Sequence, residues 1–372
     1  MSVIKVNKIE NTGTTAGGVE IDSSGHVQID GQQFPTAGTL SNRNLLINGA
    51  CRVNQRQTTP TVGSANTYGP VDHFETRTAG DQWQGQISQE TVSVNNEFKS
   101  CLRVKTTTAE TTVDGTNQIV VETHMEGQDV QHLSHSTSSA KPLTLSFWVR
   151  SSQTGTYVVK LYRLDGGSGR QLNKTYTINA ADTWEYKTFT FVGDTSGPAI
   201  PNSTGEGLRV SFQLAAGADF TSGTQPTTWT NYSNAIWAAG HVTNDVMTTV
   251  NATWDVTGVQ LEVGEKATPF EHRSYADELV KCQRYFQDFA TTDSQIRGTR
   301  YNSSSGVDQT AYLPVRMRDQ PNVVIVSSDD GGANSTLSID QRGVEKIVFN
   351  VDPSGTNTGV FMRFKFTCEA EL

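Results

Sequence analysis

The chain is short of charge, of large apolar residues and of cysteine, and each shortage excludes something. Charged residues make up 18% and hydrophobic residues 35% of its 372 positions, against about 25% and 45–50% in ordinary globular domains. A long coiled coil, which needs abundant Ala, Glu, Lys and Leu, does not fit. Four cysteines (Cys51, Cys101, Cys282 and Cys368) are too few and too scattered for a disulfide framework at this length. None forms a C-x-x-C pair, so a zinc site built from them has no support, and buried free thiols are the expectation. No apolar run reaches the ~18–20 residues of a membrane-spanning helix, and the start MSVIKVNKIENTG lacks an apolar signal-peptide core. A net charge of −9 offers no broad basic footprint for nucleic acid.

Catalytic patterns are also missing. There is no G-x-S-x-G elbow, no H-E-x-x-H helix and no phosphate loop. The sequence therefore points to no enzyme and no cofactor. A glycosidase needs only two suitably spaced carboxylates; a capsule-polysaccharide depolymerase accordingly stays open as the enzymatic alternative, although no solenoid period is visible.

Thr, Ser, Asn, Gln and 33 glycines fill the gap. That balance suits strands with one wet face and many turns. Fifteen Phe, ten Tyr and six Trp supply the apolar surface that disordered chains lack. Residues 1–42 hold a hairpin pattern, Val19–Asp22 and His26–Asp30 around a Gly-containing turn, and then a linker. A lone hairpin is marginal in water, so this arm is expected to gain partners from other chains. Residues 43–273 alternate as a β-sandwich or jelly roll, with runs at 142–150, 156–164, 184–192, 207–214 and 253–263. In the last, apolar parity changes across Gly258, which predicts a bulge. Tyr275, Leu279, Cys282 and Phe286 follow Ser274 at helical spacing, predicting a connecting helix at 274–288. Residues 289–372 read as a small C-terminal β module. The fold class is all-β.

Asn42–Ala50, then Arg52–Arg56, and later Gly258–Gly264, Ala267–Tyr275 and Cys282–Phe286 together resemble the segments that open and close the sandwich domain of phage tail-fibre proteins, of the cyanophage and marine-phage kind. The opening KVNKIENTGTTAGGVEIDSSGHVQIDG resembles their N-terminal arm. The strands LTLSFWVRSS and WEYKTFTF resemble a jelly roll of the family 4/9 carbohydrate-binding type. The resemblance implies a virion component, usually trimeric, assembled in the host cytoplasm. Residues 1–42 would attach to other tail proteins, and the C-terminal module would lie distal and meet a host cell-surface polysaccharide. Two departures stand out: Cys51 falls where relatives more often carry Met, and the loop from Asp219 to Val250 is longer and more aromatic. An architectural collar or connector without a receptor is the second alternative.

Sugar recognition commonly sets an aromatic plane against the C–H face of a pyranose, beside groups that hydrogen-bond its hydroxyls. Trp229, Tyr232 and Trp237 in the loop PTTWTNYSNAIWAAGH fit that chemistry, as do Tyr301 and Tyr312 near the polar turns of the distal module. Large aromatics also cap sandwich cores, which is the plainer reading of the loop rings. The distal module ranks first for receptor contact. His124, His132 and His135 crowd one polar segment, where solvated or hydrogen-bonded roles outweigh metal binding. Asp255 or Asp22 could serve a stabilising calcium, but no twelve-residue calcium loop is present.

Overall fold

The computed structural model describes residues 8–9, 18–21, 27–29, 32–33, 41–63, 66–164, 169–290, 294–299, 306–330, 335–353 and 359–372. The chain divides into two compact units, Met1–Arg52 with Thr58–Arg273, and Val53–Gln57 with Ser274–Leu372. The first unit contains an antiparallel jelly roll of two sheets. A seven-stranded sheet runs in the order Thr230–Asn231, Arg170–Ile178, Gly155–Arg163, Glu206–Ala216, Gln118–Glu126, Phe74–Ala79, Asn66–Tyr68. A six-stranded sheet runs Glu185–Phe191, Leu143–Ser151, Thr253–Val263, Phe98–Thr108, Gln84–Val94, Thr61–Val62.

Strict alternation decides what each strand buries, because successive side chains point to opposite faces. Leu143, Leu145, Phe147 and Val149 point inward from one sheet, and Leu208, Val210, Phe212 and Leu214 from the other. Phe147 meets Phe212 edge-on at 5.0 Å, and Phe212 meets Trp254 at 5.5 Å. The predicted bulge is present: Ser146 faces Gln260 but Trp148 faces Thr257, so two residues oppose Phe147. Gly258 takes φ +61°, and a Cβ there would lie 2.6 Å from the Phe98 ring, so only glycine fits.

The two sequence segments that carry the fibre resemblance form one hydrogen-bonded clasp. Asn44 Nδ2 donates to the Val259 carbonyl at 3.0 Å, and its Oδ1 accepts from the amides of Leu46 and Leu261, both at 3.1 Å. Arg273 donates to the carbonyls of Leu46 (3.0 Å) and Asn44 and to Glu271 (3.0 Å). A Cβ on Gly49 would sit 2.1 Å from the Val259 carbonyl oxygen. These residues therefore cover the half of Thr253–Val263 that runs beyond its pairing with Phe98–Thr108 and satisfy its backbone.

Ahead of the sandwich, Lys8–Ile9, Val19–Ile21, Val27–Ile29 and Gln32–Gln33 pair as a small antiparallel sheet. The expected hairpin is present, with Val19 opposite Ile29 and Ile21 opposite Val27. Val19 and Ile21 stay 38% and 45% exposed.

In the second unit the helix is shorter than its spacing suggested, spanning Tyr275–Gln283. Ser274 caps it, accepting from the Asp277 amide at 3.1 Å. Phe286 leaves the helix to become a strand residue, because Phe286–Asp288 pairs with the C-terminal strand. That strand, Gly359–Glu369, is flanked by Phe286–Asp288 and Ser294–Thr299 on one side and Asn322–Asp329 on the other. A three-stranded sheet of Val307–Tyr312, Lys346–Pro353 and Ser335–Arg342 completes the unit. Residues 53–57 also belong here, although sequence places them inside the sandwich. Gln55 Nε2 donates to the Phe286 carbonyl at 2.8 Å, and Arg56 lies over the Phe286 ring and pairs with Glu369 and Glu371, both at 2.9 Å. All four cysteines are free and buried, and burial pushes the thiols of Cys51 and Cys368 up to about 12.

Candidate functional site

The outward face of the seven-stranded sheet carries charge where an antiparallel sheet would ordinarily carry small polar residues. Asn173, Lys160, Ser211, Glu122 and Glu75 are cross-strand neighbours in one row. Gln171, Tyr162, Arg209 and His124 form the next. Arg209 grips Glu206 with two nitrogens, at 2.9 and 2.6 Å, and reaches Glu122 with the third at 2.9 Å. The Ser211 hydroxyl donates to the other Glu122 oxygen at 2.6 Å. The His124 ring lies between Glu75 (3.4 Å) and Glu206 (3.3 Å), and Arg77 stands 3.7 Å from Glu122.

Burial works against every charge here, and the partners decide the outcome. For Glu122, Arg209 and then Arg77 outweigh burial and lower its pKa. For Glu206, His124 and Arg209 outweigh burial and bring it to about 2. For His124, burial favours the neutral ring, but the carboxylates of Glu206 and Glu75 prevail and raise it to about 9. Lys160 goes the other way: with no exposure, burial drives its pKa well below the usual lysine value, and Glu122 offsets only part of that. Three carboxylates thus face three cations, Arg77, Arg209 and protonated His124, with Lys160 beside Glu122.

The long loop after the Glu206–Ala216 strand folds over this face. Its two-residue strand, Thr230–Asn231, pairs with Arg170 and Gln171 at the sheet edge. Trp237 then lies on Lys160, whose Nζ sits over the indole and donates to the Trp237 carbonyl at 3.3 Å. With its amide turned so that the oxygen faces them, Gln213 accepts from Trp237 Nε1 (3.1 Å) and Lys160 Nζ (2.9 Å). Tyr162, Tyr232 and Trp237 form a mutually edge-on trio with ring centres 5.1–5.9 Å apart. Tyr232 is 45% exposed and forms the solvent-facing rim, whereas Trp237 is 4% and Tyr162 6% exposed.

Of the sequence candidates among the described residues, only Tyr232 and Trp237 come together. Trp229 is 7% exposed and belongs to the core: its indole donates to the Val192 carbonyl at 2.7 Å, and His135 packs edge-on against it. Core capping accounts for Trp229, and burial leaves Trp237 no free face. Tyr312, 77% exposed, ends the Val307–Tyr312 strand in the second unit, and Tyr301 lies outside the described residues. The three neighbouring histidines separate: His124 joins the ion-pair network, His132 stands exposed on a 3-10 turn, and His135 packs on Trp229, where burial lowers it to about 4. Arg209, Glu206, Glu122, Glu75, Arg77 and Tyr162 were not singled out by sequence. The available signal was a charge at an outward position of a strongly apolar strand, as Arg209 is within Leu208–Leu214.

Ligating atoms of Glu75, Glu122 and His124 lie within 4.8 Å of one another. The set does not suit a metal: Glu122 is committed to Arg209 and Ser211, and a bound cation would need a neutral imidazole where two carboxylates keep His124 protonated. Asp255, on the other sheet, does not suit calcium either. It is fully buried, and both oxygens are taken by Arg103 (2.7 and 2.8 Å) and Arg150 (2.9 and 2.5 Å). Asp22 lies outside the described residues. Trp184 packs on Arg150 and Trp148 on Tyr186, both half-buried.

The His124 shift has a sign that can be checked. Its folded pKa, about 9, lies above the ordinary histidine value near 6.5. Its stabilisation is therefore complete below about pH 6.5 and is lost as pH rises through about 9. Denaturant titrations from pH 6 to 9.5 are expected to show falling stability in the wild type and a flatter profile in His124→Gln. Parallel slopes would contradict the assignment.

No protein-family model matches the sequence, and no curated protein does. Among solved structures, the chain is similar to the enzymatically active domain of bacteriophage CBA120 tailspike protein 4, with 12% identity and a TM-score of 0.31 over 60% of this chain and 22% of that one. It is also similar to the N-terminal cellulose-binding domain of Cellulomonas fimi β-1,4-glucanase C (13%, TM-score 0.30, 55% of this chain and 98% of that one). A third is the CBM22-1 xylan-binding domain of Paenibacillus barcinonensis Xyn10C (12%, TM-score 0.27, 63% and 100%). The chain thus spans about a fifth of the tailspike domain. Likenesses at this level bear on neither ligand nor activity.

Proposed function

We propose that the protein is a non-enzymatic glycan-binding protein of a phage virion, a tail fibre that recognises a host cell-surface polysaccharide during adsorption. The observation that carries the glycan reading is the pairing, on one sheet face, of the Tyr162–Tyr232–Trp237 trio with the charged groups of Arg77, Arg209, Glu206 and Glu75, fixed by their mutual ion pairs and by His124 and Glu122. An exposed ring at the rim and oriented charged groups beside it are what a pyranose needs for stacking and hydroxyl recognition. The carboxylates support binding over hydrolysis. A glycosidase acid needs a raised pKa, and every carboxylate with a shifted pKa among the described residues is shifted down. The virion reading rests on the fibre resemblance of the clasp and arm segments. In this reading residues 1–42 attach the chain to the tail, and the exposed Val19 and Ile21 pack against two further copies in a homotrimer.

Adsorption of labelled full-length protein to host cells, with light scattering on the same sample, tests both parts. Tyr232→Ala is expected to weaken binding about three- to tenfold per site, the size of a lost ring contact, without shifting the melting temperature. The scattering mass should be three times that of one chain. Undiminished binding by Tyr232→Ala would remove the site. Absence of any adsorption would favour the collar or connector role, and release of shortened saccharide would favour the depolymerase.

A further inference from the structure

The second unit carries a basic face in an otherwise acidic chain. Val360, Met362, Phe364, Phe366 and Cys368 point into the core of that unit, so Phe361, Arg363, Lys365 and Thr367 project from the other side of the strand. On the adjacent strand Ile296 is buried opposite Met362, which puts Arg297 on the outward face directly opposite Phe361. Both guanidiniums lie on the Phe361 ring, Arg297 at 4.9 Å and Arg363 at 5.3 Å from its centre. Both arginines are exposed, and among the described residues neither forms an ion pair. On the far side, Asp329 stands opposite Arg363 and Ser327 opposite Lys365; Asp288 lies farther along, opposite Thr367.

Like charges side by side on one sheet face destabilise it. A chain with 38 acidic residues has ample means to pair them, yet here Arg297 and Arg363 are held together on a ring and, among the described residues, neither is in an ion pair. We infer that this strip binds an acidic polysaccharide, the carboxylates of uronic-type sugars meeting Arg297 and Arg363. The strip is too small for the broad Lys/Arg field that nucleic-acid binding requires, and the net charge of −9 opposes so dense a polyanion. The inference shares with the proposed function the class of ligand, a glycan, and adds a second place of contact and the sign of the glycan's charge.

Affinity electrophoresis of the full chain in native gels containing polygalacturonate, dextran or duplex DNA tests it. Polygalacturonate is expected to retard the wild type, and raised salt to weaken the effect. The R297Q/R363Q variant should need about tenfold more polymer for the same retardation, the scale of a lost charged hydrogen bond. These exposed substitutions should leave the melting curve unchanged, and Tyr232→Ala should leave polygalacturonate binding in place. Equal retardation of R297Q/R363Q and wild type, retardation by dextran alone, equal retardation by DNA, or none at all would each overturn the inference. Loss in Tyr232→Ala but not in R297Q/R363Q would overturn it while upholding the sheet-face site; loss in R297Q/R363Q alone upholds it and leaves the sheet-face site to the adsorption assay.

Discussion

Glu122→Ala is expected to lose about 3–5 kcal/mol of stability, the cost of leaving buried charges without their partner. Glu122 has no exposure, and its oxygens hold Arg209 at 2.9 Å and Ser211 at 2.6 Å with Arg77 at 3.7 Å. Glu206 would still hold one edge of Arg209, but Arg77 would face a buried gap beside Lys160. Glu122→Gln should fall between wild type and alanine, since an amide oxygen can still accept from Ser211. All six tryptophans lie in Thr58–Arg273, so their fluorescence during urea unfolding reports the first unit alone. A loss below about 1 kcal/mol would mean that the network is not organised around this carboxylate.

Asn44→Ala is the second large effect. It strips one buried carbonyl, on Val259, and two buried amides, on Leu46 and Leu261, of their partners. Each unsatisfied group costs about 1–3 kcal/mol, so a loss of about 3–5 kcal/mol is expected, allowing for partial relaxation. Asn44 sits far in sequence from two of the three groups it joins, and the same urea titration reads its loss. A change under 1 kcal/mol would show that the clasp is replaceable.

The sandwich strands were legible because apolar alternation survives in them: 142–150 and 207–214 each turn one apolar parity into the core between the sheets, and the break at Gly258 marked its own bulge. The helix start was legible from Ser274 and Asp277. Its end was not, because Phe286 keeps helical spacing yet gains more by pairing with Glu369 in a sheet. The site was harder to see. Trp229 and Tyr232 are three residues apart in one aperiodic loop, and nothing local says that one turns into the core and the other toward water. Arg209, Glu122 and His124 occupy alternating strand positions that look like ordinary wet-face positions. Only the sheet order brings them together, and sheet order is a long-range property.

The placement of residues 53–57 has a consequence for synthesis and for dissection of the chain. The polypeptide leaves the first unit after Arg52, lends five residues to the second, returns at Thr58, and crosses for good after Arg273. A ribosome therefore delivers Gln55 and Arg56 more than two hundred residues before Phe286, Glu369 and Glu371 exist to receive them. The second unit is closed by a piece of chain made long before the rest of it. Cutting after Arg273 would not release two intact parts, because the shorter fragment would lack its early-made segment and the longer one would keep it with its partners gone.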